Sequence, residues 1–226
     1  MDIDTDHRPA TDRPPGRRPA NADLTQLTQR LRDQIVPEGR LILGLAGPPG
    51  TGKSTFADHL AAALYPLSCA VVPLDGFHLG SKIINGTPLQ HRKGAIDTFD
   101  AGGYAALLQR LHTRDEAVVY APFYDRTLEQ PIAGSIAVDQ ATQVVITEGN
   151  YLLVDDGDWG RARTLMNQVW FVDTEHALRI ERLTARHIQF GKTPEAARAW
   201  VHASDEVNAA VVLSTKEHAD LVVTWN

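Results

Sequence analysis

Of the 226 residues only one is cysteine. Cys69 therefore has no partner for an internal disulfide, and no cysteine-based zinc site can assemble. It borders the apolar run at residues 70–72, which predicts a small buried hydrophobe. Long hydrophobic runs are missing too: none approaches the roughly 20 residues that span a bilayer. The opening MDIDTDHRPATDRPPGRRPA lacks the apolar stretch of a secretory signal. A basic surplus is also absent. Lys and Arg total 22 against 28 Asp and Glu, for a net charge of −6. That balance argues against a general nucleic-acid binder but leaves room for a local Arg and Lys cluster that holds phosphorylated ligands. The expectations are a cytoplasmic protein with neither nucleic acid nor membrane as partner.

What is present suits one α/β domain. Hydrophobic residues make up 43% of the chain, enough for one sizeable core. Residues 1–20, rich in Asp, Arg and Pro, predict a disordered tail ahead of a domain over residues 21–226. Leu24, Leu27, Leu31 and Ile35 recur at helical spacing, and Pro37 and Gly39 end that helix. Strands and helices then alternate. Residues 41–46 are almost wholly apolar, as in a strand covered on both faces. A helix over residues 53–65 and a strand at 70–74 follow. Asp100 caps a helix carrying Tyr104, Leu107, Leu108 and Leu111. Further strands fall at 118–121, 143–147, 169–172 and 221–224, with a small extra one at 136–138. Two helical stretches cover 174–189 and 194–213. This order predicts a three-layer α/β fold, a parallel sheet of about five strands flanked by helices.

Residues 47–54 read GPPGTGKS, a full match to G-x-x-x-x-G-K-[ST] between a predicted strand and a predicted helix. Gly47, Gly50 and Gly52 let successive N–H groups turn toward one anion, with Pro48, Pro49 and Thr51 completing the loop. The helix adds its positive N-terminal end. Lys53 bridges the β- and γ-phosphates of a nucleotide, the Ser54 hydroxyl ligates Mg²⁺, and Thr55 stands beside it. An ATPase motor with this loop usually carries an acidic pair at the end of strand 144–147, where Glu148-Gly149 stands instead. No guanine-reading Asn-Lys-x-Asp segment occurs. Both alternatives lose ground.

Ligands of open α/β sheets gather at the carboxyl ends of the strands. Asp75 and Glu148 stand at two such ends, each followed by glycine. A single carboxylate there most often starts a turn. Two beside a phosphate loop suit a hydroxyl-orienting base, Asp75, and a metal-holding group, Glu148, acting directly or through water.

The ordered set GPPGTGKS, VVPLDGFH (71–78), RKGAIDTFD (92–100), YAPFYDR (120–126), VVITEGNYLL (144–153) and the Arg-rich stretch 179–192 resembles the phosphoribulokinase, uridine kinase and type I pantothenate kinase family of P-loop kinases. The resemblance runs from about Leu24 to the C-terminus. It implies an ATP- and Mg²⁺-dependent kinase with Asp75 as base and Glu148 as metal-associated carboxylate. It implies acceptor contacts from Arg92, Lys93, Asp97, Tyr124 and His78, and a lid carrying Arg182 and Arg186, with Arg179 and Lys192 nearby. Phe77, His78, Phe123 and Tyr124 are candidate pocket walls. Asp205 and Asn208 either reach the acceptor or tie down the helix that follows. The chain looks most like the bacterial nucleoside kinase-like or fructokinase-like branch. Its small-molecule acceptor is expected to be a sugar or polyol, narrowly ahead of a nucleoside, with pantothenate third. The alternative class is an ATP-binding regulator that transfers nothing. A homodimer is the default for an enzyme of this size.

Overall fold

A six-residue strand with no polar face needs a neighbour on each side and cover above and below. In the computed structural model, which describes residues 20–21, 23–36 and 39–225, the central strands meet that need. The predicted tail at residues 1–20 lies outside these residues apart from Ala20. The first half of the chain forms β1 (Ala20–Asn21), α1 (Leu24–Arg32), β2 (Leu41–Ala46), α2 (Lys53–Ala63), β3 (Cys69–Pro73), α3 (Ser81–Ile84) and α4 (Ala101–Thr113). The second half forms β4 (Val118–Asp125), β5 (Gln130–Asp139), β6 (Val144–Gly149), α5 (Gly157–Thr164), β7 (Gln168–Asp173), α6 (His176–Gln189), α7 (Pro194–Trp200), α8 (Glu206–Leu213) and β8 (Leu221–Thr224).

Strands β2 and β6 are buried at every position. They pair in parallel from Leu41↔Val144 to Ala46↔Gly149. The sheet runs β1-β8-β7-β2-β6-β3, all parallel. Successive side chains leave a strand on opposite faces, which divides the core in two. Ile42, Val145 and Phe171 face Tyr104, Leu108 and Leu111 of α4. Leu43, Ile146 and Trp170 face Phe56 and Leu60 of α2 and Leu27 and Leu31 of α1. Each such side chain, taken fully out of water, contributes about 1.5–3 kcal/mol. This is the three-layer α/β P-loop fold that the sequence predicts. Among the described residues, no helix is long and apolar enough to cross a membrane.

Two expectations change. Residues 118–121 are a strand, but not of the parallel sheet: β4 pairs antiparallel with β5 in a separate two-stranded unit, with a register break between Ala121 and Phe123. The small strand at 136–138 is the end of the ten-residue β5. β5 is exposed at most positions and buries only Val138, unlike the central strands, which are covered on both faces. Val119, Ala121 and Val138 pin the hairpin to the core. The single helix expected over 194–213 is broken as well, since a π-helical turn at Val201–Asp205 separates α7 from α8.

Candidate active site

The strand-to-helix turn after β2 forms the predicted phosphate cradle. Gly50 and Gly52 adopt φ of 85° and 79°, a left-handed backbone that side chains rarely take. A Cβ on Gly50 would also come within 2.7 Å of Leu183 Cγ, so α6 packs directly against the loop. Thr51 is buried, and its hydroxyl donates to the Pro48 carbonyl at 3.1 Å. Lys53 Nζ donates to the carbonyls of Gly47 (2.8 Å) and Pro48 (3.0 Å) and to Oδ1 of Asn150 (2.9 Å). Burial lowers its pKa to about 8, against the opposing pull of Glu148 and Asp75. Behind the loop, a Cβ on Gly52 would meet Trp225 Cδ1 at 3.2 Å. The Trp225 indole packs on Phe56 and His59, with ring centroids 5.0 and 5.4 Å away.

Glu148, at the end of β6, is buried and accepts from Ser54 Oγ at 2.8 Å. Burial and then the charge of Asp75 push its carboxyl above the usual range, with Lys53 opposing. Among the described residues, no group of three or more His, Cys, Asp or Glu stands together to hold a metal. Mg²⁺ takes one or two carboxylates and fills its shell with phosphate oxygens and water, and Ser54 and Glu148 could supply such donors.

Asp75 sits in a tight turn, Leu74–Phe77, directly after β3. Its backbone carbonyl lies 2.8 Å from Nδ1 of His78, and its Oδ2 accepts from Arg126 Nη2 at 3.3 Å. A cleft of about 960 Å³ runs from the cradle past Asp75 to the β4–β5 turn. His78 stands against Phe99 and Tyr124 there, at centroid distances of 4.0 and 4.8 Å. Burial lowers its pKa and so favours the neutral ring. Lys93 Nζ lies 5.4 Å over the Tyr124 ring and donates to the Glu129 carbonyl at 2.8 Å.

The structure gathers most of the predicted residues into this cleft: the loop, Asp75, Glu148, His78, Lys93, Tyr124, Arg182 and Arg186. Others go elsewhere. Arg92 and Asp97 pair with each other at 2.8 Å on the surface, away from the cleft wall. Phe77 packs on Tyr104 at 5.3 Å in the core, and Phe123 is exposed, so neither walls the pocket. Arg179 is buried beneath the cradle, donating to Pro49 O at 3.3 Å and to Glu206 Oε1 at 2.5 Å. Its neighbours on α6 overhang the cleft. One of these, Arg182, has an enclosed Nη1 with no hydrogen-bond partner among the described residues. Arg186 is half-buried; desolvation lowers its pKa, with Arg126 adding to the effect. Asp205 and Asn208 both line the cleft, Asp205 holding His187 Nε2 at 2.7 Å. Outside the cleft, Lys216 pairs with Asp173 at 2.7 Å.

Sequence reasoning missed Arg126, Asn150, His187 and Trp200. Arg126 and Asn150 stand inside segments that carried the resemblance, YAPFYDR and VVITEGNYLL, each two residues beyond a singled-out position, Tyr124 and Glu148. His187 stands in the Arg-rich stretch 179–192, next to Arg186, while for Trp200 the sequence held no such signal.

Comparison with known proteins places the chain in a family. The model of the Phosphoribulokinase / Uridine kinase family matches residues 42–225. "Uncharacterized protein YggC" of Escherichia coli is 34% identical over 193 residues, covering 84% of this chain and 79% of its own. "Putative uridine kinase C227.14" of Schizosaccharomyces pombe is 28% identical over 215 residues, covering 91% and 92%. A crystal structure of a "putative fructose transport system kinase" from Silicibacter sp. TM1040 superposes with a TM-score of 0.82 at 34% identity, covering 91% of this chain and all of that one. The chain thus belongs to the phosphoribulokinase / uridine kinase family, and is an ATP-dependent P-loop phosphotransferase with an alcohol group as acceptor.

Proposed function

We propose that the protein transfers the γ-phosphate of ATP to a hydroxyl of a neutral, polyhydroxylated small molecule, a sugar or polyol. The convergence of Lys53, Ser54, Glu148 and Asp75 on one cleft supports the transfer. The charge balance at the acceptor end supports a neutral acceptor. Arg126 is matched by Asp75 at 3.3 Å, Lys93 by Glu129 at 3.7 Å, and His187 by Asp205 at 2.7 Å. Among the described residues lining the cleft, the cations without a carboxylate partner are Lys53, Arg182 and Arg186 by the cradle and Lys192, which stands 4.7 Å over the Trp200 ring. Lys192 aside, an anionic acceptor would find no unpaired positive group at its end of the cleft. The fructose-linked name of the Silicibacter relative points the same way.

In this reading the loop amides and Lys53 hold the phosphates. Ser54 and Glu148 would hold Mg²⁺, which when bound neutralises phosphate charge. Asp75 orients the acceptor hydroxyl and takes its proton as the oxygen bonds to the γ-phosphorus. The bond from that phosphorus to the bridging oxygen breaks, its electron pair leaving with ADP. Arg182 and Arg186 stabilise the charge spreading over the transferred group. A nucleoside is the second reading, favoured by the flat wall of His78, Phe99 and Tyr124.

The test is ADP release from Mg-ATP with sugars, polyols, nucleosides, glycerate and pantothenate, beside Asp75→Asn. A neutral acceptor with Asp75-dependent turnover is expected. Preference for glycerate or pantothenate would overturn the neutral reading. Flat rates with ATP still bound, repeated with a metabolite extract, would leave the regulator.

A further inference from the structure

The hairpin arginine beside the proposed base has no part in the mechanism above, yet it is held in place with care. Asp125 Oδ1 accepts from the amides of Thr127 (2.8 Å) and Leu128 (2.9 Å), fixing the β4–β5 turn on either side of Arg126. Lys93 ties the same turn down through the Glu129 carbonyl. Next to Asp75, a Cβ on Gly76 would come within 2.4 Å of the Pro122 carbonyl, so β4 presses on the turn that carries the base. The hairpin cannot slide along Asp75 without breaking these contacts. Arg126 thus reaches Asp75 from a fixed support. Its charge is also felt by His78, Glu148 and Arg186, which places the guanidinium at the transfer centre.

We propose that Arg126 is a latch on Asp75, a positioning residue that keeps the carboxylate from activating water. This rests on Asp75 being the base. An ion pair with side chains 46% and 32% exposed adds little to stability, so its worth lies in what it blocks. Arg126 holds Oδ2 and its guanidinium stands beside the carboxylate, so a hydroxyl that is to give its proton to Asp75 at that oxygen must displace it. An acceptor gripped by His78, Tyr124 and Lys93 brings binding energy to that exchange. Water brings none. Hydrolysis would otherwise proceed by the same chemistry: the water oxygen bonds to the γ-phosphorus, the bridging bond breaks toward ADP, and the proton goes to Asp75. The latch makes the enzyme wait for its acceptor.

The experiment measures acceptor-free ADP release from Mg-ATP by the full chain. It compares wild type, Arg126→Gln, Arg126→Ala, Arg126→Lys, Asp75→Asn and the Arg126→Gln/Asp75→Asn double variant. Rates are taken per ATP-bound protein, so that a change in affinity cannot imitate the effect. The latch predicts that Arg126→Gln and Arg126→Ala raise hydrolysis roughly fivefold, the ratio an exposed ion pair at its upper strength sustains. Arg126→Lys stays near wild type, and the double variant falls back to the level of Asp75→Asn. An unchanged or lower rate in both neutral variants overturns the latch. A rise that survives in the double variant overturns it as well, because the effect then bypasses Asp75. Transfer to the acceptor separates the two ideas. If Asp75→Asn still transfers normally, the base assignment falls and takes the latch with it. If transfer needs Asp75 but hydrolysis does not rise, only the latch falls.

Discussion

At its nucleotide end the cleft is made of backbone; at its acceptor end it is made of side chains. The cradle is one continuous stretch, residues 47–54, whose shape follows from left-handed glycines and a helix start. The acceptor end draws its walls from the turn after β3, the segment before α4, the β4–β5 hairpin, α6 and the π-helical turn before α8. Backbone geometry set by local sequence serves the phosphate end of the cleft. Side chains brought together from distant segments can be exchanged one at a time without disturbing the cradle. The difference teaches where specificity can change within such a fold and where it cannot.

The comparison breaks most sharply at the two charged residues nearest the transfer. Asp75→Asn should lower turnover by about 10³-fold, within the usual range for removing a general base, while ATP affinity measured by calorimetry stays within about twofold. Loss of both together would mean that the two ends are not separable. Lys53→Met should do the opposite and weaken ATP binding itself, along with a loss of turnover on the order of 10³-fold.

Gly76→Ala probes the seam between the ends. The new methyl group meets the Pro122 carbonyl and pushes the hairpin off Asp75. Overpacking of this kind costs about 1–3 kcal/mol, visible as a lower melting temperature. A displacement on the order of an ångström can cost up to about 10² in rate, so acceptor kcat/KM should fall at least about tenfold. ATP affinity should hold; if it falls equally, the hairpin also supports the cradle.

A milder effect concerns pH. Lys53 in the free protein loses its proton above about pH 8, because burial favours the neutral amine. Phosphates require the ammonium form, so ATP binding above that pH takes up a proton, and affinity falls as pH rises, by at most about tenfold per unit. Calorimetry in buffers of different ionisation heat should detect this uptake near pH 9 and lose it in Lys53→Met. Uptake that persists in the variant would assign the proton to another group.

The smallest effect belongs to Arg92→Ala. The Arg92–Asp97 pair is about half exposed, so stability should shift by less than about 1 kcal/mol and acceptor KM by less than about twofold. A large rise in KM would bring the pair into the pocket during turnover.

The contrast between the two ends also explains what the sequence disclosed. The cradle was legible because its glycines, lysine and serine are consecutive, and because a strand buried on both faces must read as an apolar run. Asp75 and Glu148 were legible as residues at strand ends. Arg126 and Asn150 were not, since nothing at those positions announces a partner that lies 51 or 97 residues away. Strand β4 was visible but its sheet was not: pairing with β5 depends on long-range register, and residues 130–139 stay largely exposed. The π-helical turn was hidden too, since Val201–Asp205 has an ordinary helical composition.

The contact between Trp225 and Gly52 makes the cradle its own optical instrument. An indole packed behind the phosphate loop sits where nucleotide arrival changes the surrounding field, so its emission reports on binding with no label attached. Trp200, over Lys192 at 4.7 Å on the far wall, gives a second signal from the acceptor end. Trp170, sealed in the core, and Trp159, packed on Phe99 and Tyr151, supply the background. Replacing Trp200 or Trp225 by phenylalanine in turn would separate the two channels and let the order of substrate arrival be followed by stopped-flow fluorescence.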